Sequence, residues 1–99
     1  MVTVEGSVGA EAVLPLRRRI ADAIDPDRRQ VILDLRAATL VDTATVGLSG
    51  LVSRMSRDGM ALAIVGIPVR MRYVLDACDV RGVQQYPDLD SARSGVRSA

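Results

Sequence analysis

Apolar and polar residues alternate from Val2 to Glu5 and Gly6 follows, a pattern that predicts a short first strand ending there. From Val13 the period lengthens. Val13, Leu16, Ile20 and Ile24, with Ala23 beside the last, recur at threes and fours and define one helical face. Pro15 fits only a first turn, which places the helix start near Ala12 to Leu14. Arg17, Arg18 and Arg19 project away from that face; they read as solvated surface, with an anionic docking patch as the alternative. Asp25-Pro26-Asp27 stops the helix, because the residue before proline is pushed out of the helical region.

The run Val31-Ile32-Leu33-Asp34-Leu35 is apolar almost throughout, as in a strand covered on both faces of a parallel sheet. After a connection from Arg36 to Val41, the positions Ala44, Gly47, Leu48, Leu51 and Met55 mark a second helical face, closed by Asp58-Gly59. Met60 to Ile67 reads as another buried strand. Pro68 opens a third helix with Met71, Val74, Leu75 and Cys78 inward, and Gly82 to Tyr86 forms a short strand. Asp88 is placed as the N-cap of a terminal helix reaching about Ser94, with Gly95 to Ala99 frayed. Strand and helix thus alternate four times, which predicts one α/β domain over residues 1–99: a small sheet of about four strands, mostly parallel, flanked by about four helices.

Composition then narrows the function. The 99 residues are 48% hydrophobic and 25% charged with a net charge of +1, so the chain needs no staple to hold a core and lacks the basic excess of a nucleic-acid binder. There is no His and one Cys, which removes Ser-His-Asp and Cys-His relays and any histidine or multi-thiolate zinc site; no metal and no cofactor are expected. No apolar run approaches the roughly 20 residues of a membrane span. Met1 opens onto a strand-like pattern instead of a signal peptide, so a cytoplasmic address is the expectation. Cys78, in an apolar helical pattern, reads as an inert core thiol.

The chemically informative stretch is the strand-to-helix turn Val41-Asp42-Thr43-Ala44-Thr45-Val46-Gly47. Asp42 is placed as the helix cap, and the free amides of the first turn face outward at the carboxyl end of the strand, where an anion is favoured. A phosphate on a hydroxyl there adds about −1.5 to −2 charge. A plain helix cap is the competing reading. Gly47-Leu48-Ser49-Gly50 reads as close helix packing, since it lacks the ending of a phosphate loop. Asp34 and Asp42, expected to flank one strand end, are candidates for an acid-base pair or a magnesium site, against structural roles for both. Val41, Val46 and Ile67 are candidates for an apolar docking patch.

In these residues the chain resembles the STAS family, which comprises bacterial anti-sigma factor antagonists and cytoplasmic domains of sulfate transporters. The resemblance runs from Val2 to Val96 and rests on Val-Thr-Val-Glu-Gly, on Val-Ile-Leu-Asp-Leu, and on the turn Leu-Val-Asp-Thr-Ala-Thr-Val-Gly. Met-Ala-Leu-Ala-Ile-Val-Gly and the helix Val-Arg-Met-Arg-Tyr-Val-Leu-Asp-Ala-Cys complete it. The resemblance implies a protein-binding module whose partner is an anti-sigma factor with a kinase-like ATPase fold, regulated by phosphorylation at the start of the helix. The family's turn usually reads Asp-Ser-Ser-Gly or Asp-Ser-Thr-Gly. Matched to it, Asp42 takes the place of the Asp, Thr43 the first hydroxyl, Ala44 the phosphoacceptor and Thr45 the Gly. A methyl takes no phosphate, so either binding is constitutive or Thr43 or Thr45 substitutes, both being placed at the rim.

Family members also carry one more strand ahead of the one beginning at Val2. Its absence predicts an open sheet edge, and hence a homodimer through that edge or a start upstream of Met1. The leading expectation is therefore a non-catalytic module that docks through Val41, Asp42, Thr43, Ala44, Thr45 and Gly47. The alternatives are a STAS scaffold subunit of a transport or signalling assembly and, from another class, a small nucleotide-binding domain or enzyme using Asp34 and Asp42.

Overall fold

A computed structural model of the chain describes residues 1–78, 80 and 83–98. The order is β1 (Val2–Val8), α1 (Val13–Ala23), β2 (Gln30–Leu40), α2 (Asp42–Arg57), β3 (Ala61–Val65), α3 (Val69–Ala77), β4 (Val83–Tyr86) and α4 (Leu89–Ser98), with a 3-10 turn at Ala10–Ala12 leading into α1. The four strands form one sheet in the order β1-β2-β3-β4, and every pairing is parallel. Because each crossover steps in the same direction, right-handed connections carry α1, α2 and α3 to one face. α4, after the last strand, closes over the other face against β2, β3 and β4.

The helical face of the sheet holds the core. Val31, Leu33 and Leu35 of β2 and Leu62 and Ile64 of β3 meet Leu16 and Ile20 of α1, Leu48 and Val52 of α2, and Met71 and Leu75 of α3. α2 ends as its sequence predicts: Gly59 takes φ +86°, its amide bonds to the Ser56 carbonyl, and the Met60 amide bonds to Met55. Asp88 caps α4 as expected, accepting the Ser91 amide at 2.7 Å.

Four expectations are corrected. β1 does not stop at Gly6 but passes through it to Val8, the glycine adopting φ +79°. β2 does not stop at Leu35 but continues to Leu40, so residues 36–40 are strand and not a connection. The pairing with β1 slips between Thr3/Asp34 and Glu5/Ala37, where three steps on β2 oppose two on β1; this bulge breaks the alternation that would have marked one long strand. Cys78 is exposed and is not a core thiol, since α3 ends at Ala77 and leaves it as the C-cap, beyond the last turn that buries Met71 and Leu75. α4 runs to Ser98 instead of ending near Ser94, because it crosses β4 with Gly95 against the Tyr86 ring; Gly82 and Ala99 lie outside the described residues.

Candidate functional site

A parallel sheet delivers the chain from neighbouring strands to the same edge. β2 leads through Val41 into α2, and β3 leads through Ile67 and Pro68 into α3, so the two helices begin side by side. Arg70 in the first turn of α3 makes an ion pair with Asp42 in the first turn of α2. That contact fixes the site's location: the strand-to-helix turn predicted from the sequence does not stand alone but shares a surface with the start of α3.

Asp42 is not the cap. The capping position is Val41, in an extended conformation with no side-chain cap bond, and Asp42 is the first helical residue. Its carboxylate still lies in the favourable first turn, yet it faces outward to Arg70. Thr45 is likewise not at the rim. It is 4% exposed, its hydroxyl donates to the Val41 carbonyl at 3.1 Å, and its amide donates to the same carbonyl at 2.9 Å. Ala44, the position matched to a phosphoacceptor, is 0% exposed and begins the buried stripe Ala44, Leu48, Val52. Thr43 faces outward and Gly47 is half-buried.

Around the Asp42–Arg70 pair the surface is apolar. Val41 is 42% exposed, Val46 64%, Val69 62% and Tyr73 69%, and these four make up most of the exposed large apolar side chains among the described residues. Val46 stands one turn from Asp42, and Val69 and Tyr73 one turn apart on α3, so the helical repeat keeps each pair on one face. Ile67, expected in this patch, is half-buried and packs against the core. The contribution of α3 was missed from the sequence. The signal was present in Val69 and Tyr73, an apolar pair four apart on the side of the helix away from Met71 and Leu75.

The alternative site dissolves. Asp34 lies in the middle of β2 and Asp42 beyond its end, eight residues on; at about 3.3 Å per strand residue they are separated by roughly 20 Å or more. Asp34 is bound to Arg36 and Asp42 to Arg70. Among the described residues no cluster of three His, Cys, Asp or Glu side chains is placed to hold a metal, and no helix is long and apolar enough to cross a membrane.

The family model for the STAS domain matches residues 1–92, and the chain belongs to that family. Among solved structures, that of the anti-sigma factor antagonist SpoIIAA in its unphosphorylated form is similar, with a TM-score of 0.70 and 20% identity over 98% of this chain and 87% of that one. That likeness is one of fold.

Proposed function

We propose, from membership of the STAS domain family, that this chain is a non-catalytic, cytoplasmic binding module of the anti-sigma factor antagonist kind, and that it docks on a kinase-type anti-sigma factor through the joint start of α2 and α3. The observation that carries the reading is the apolar patch of Val41, Val46, Val69 and Tyr73 around the Asp42–Arg70 pair. Exposed aromatic and branched side chains about a charged pair are the composition of a docking centre. Asp42, Thr43 and Gly47 lie at its edge, while Ala44 and Thr45 support it from beneath.

With a buried methyl at position 44, binding in this reading is constitutive unless another hydroxyl is modified. Of the two candidates, Thr43 is the accessible one, and a phosphate there would add negative charge beside Asp42 and repel an acidic partner surface. Thr45 would have to leave its bond to Val41 first.

The test is affinity capture with the intact chain and with Val46→Glu and Asp42→Ala, each checked for unchanged circular dichroism. Capture of an ATPase-fold anti-sigma factor, lost with Val46→Glu, supports the reading. Retention of that partner by Val46→Glu refutes the surface. Capture of a permease or transport subunit instead assigns the chain to the scaffold alternative.

A further inference from the structure

α1 and α2 lie side by side. At Gly47 the Val13 side chain stands 3.2 Å from the point a β-carbon would occupy, whereas at Gly50, nearly one turn on, a β-carbon would meet nothing within 4 Å. The helices therefore touch at Gly47, while Gly50, about 60° further round α2, leaves the outer side of their contact open. The resulting groove has a lobe of about 450 Å³ between Val13, Leu14, Gly50 and Leu51, and a second of about 230 Å³ bordered by Ile24, Met55 and Met60. Leu14, 60% exposed, stands at the mouth of the larger lobe.

Arg17 and Arg54 border both lobes and so mark their junction. Among the described residues neither guanidinium has a hydrogen-bond or ion-pair partner. The nearby Arg29 is engaged with the Asp58 carbonyl at 3.0 Å. Two guanidiniums without a partner thus border an apolar trough, on whose smaller lobe Asp58 is the one acidic residue. Two cations beside apolar walls match a single anionic head on a slender apolar chain, and those walls go unused by a simple inorganic anion.

We infer that this groove binds a single-chain fatty-acid anion, its carboxylate held between Arg17 and Arg54 and its alkyl chain laid along Val13, Leu14 and Leu51. The assignment gives Gly50 a role: its missing side chain keeps the larger lobe open. It is independent of the partner surface, with which it shares only Gly47.

Decanoate, kept below its micellar concentration, is the probe, and backbone amide shifts of the intact chain are the readout. Saturable shifts at Leu14, Arg17, Gly50 and Leu51 are expected, with acetate producing none and decanol binding about tenfold more weakly. Gly50→Leu, which fills the lobe, and Arg17→Glu combined with Arg54→Glu should each weaken decanoate about tenfold or more without a loss of melting temperature. Should the charge-reversed pair fail to fold, Gly50→Leu decides alone, since nothing opposes its side chain within the helix. The proposal is overturned by absence of saturable shifts, by equal binding of decanol, or by undiminished binding to Gly50→Leu. Sedimentation with phosphatidylglycerol vesicles in the absence of decanoate shifts also overturns it, in favour of a membrane-surface contact.

Discussion

Arg36 grips Asp34 on one face of β2, Nε donating to Oδ1 at 3.0 Å and Nη2 to Oδ2 at 2.9 Å, while the Arg36 amide donates to the same Oδ1 at 3.1 Å. The carboxylate thereby takes up a backbone donor at the bulge where β2 slips against β1. Asp34 is 5% exposed, and the structure requires a charge there only because the bulge and the guanidinium converge on it.

This pair predicts the acid response. The Arg36 side-chain bonds hold the Asp34 carboxyl below its ordinary value against the opposing effect of burial, and the Ser91 backbone amide does the same for Asp88. As pH falls, the unfolded chain binds these protons first, at about pH 4, so stability is full above that value and declines through the lower folded values. Asp34→Asn should flatten the fall in urea midpoint between about pH 4 and pH 2. Arg36→Ala, which strands a buried carboxylate, should lower the midpoint at pH 7 more than Asp34→Asn does.

Gly47 and Gly50 belong to one sequence motif but should respond oppositely to substitution. Gly47→Leu drives into Val13 and should cost about 1–3 kcal/mol. Gly50→Ala meets open space in a helix interior and should stabilise by up to about 1 kcal/mol, both read from urea denaturation.

The two threonines of the turn should separate in the same way. Thr45→Val removes the bond to the Val41 carbonyl and should cost about 0.5–1.5 kcal/mol, whereas exposed Thr43→Val should change stability by less than about 0.5 kcal/mol. On incubation with a cognate kinase and ATP, any gain in intact mass should vanish with Thr43→Val and persist with Thr45→Val.

Self-association through the outer edge of β1 remains a proposal, and Arg19 bears on it. Its guanidinium donates to the Thr3 carbonyl at 2.9 Å and so covers part of an otherwise open edge. Arg19→Ala should raise the mass seen by light scattering at high micromolar concentration, and an unchanged monomer would show that the edge does not drive pairing.

The order of strands and helices, the parallel sheet and the caps at Gly59 and Asp88 were legible in the sequence, because each follows from local periodicity or a backbone preference carried by one or two residues. The full length of β2 was not, since a bulge hides its second half from any period-two reading. Nor was the rim legible. Whether Thr43 or Thr45 faces outward depends on the rotation of α2 against the sheet, and the pairing of Asp42 with Arg70 spans 28 positions that only parallel neighbouring strands bring to one edge. The sequence supplied the chemistry of the turn; its accessible half, and the helix that completes it, were decided by how α2 and α3 pack on the sheet, a contact between residues far apart in the chain that no local pattern encodes.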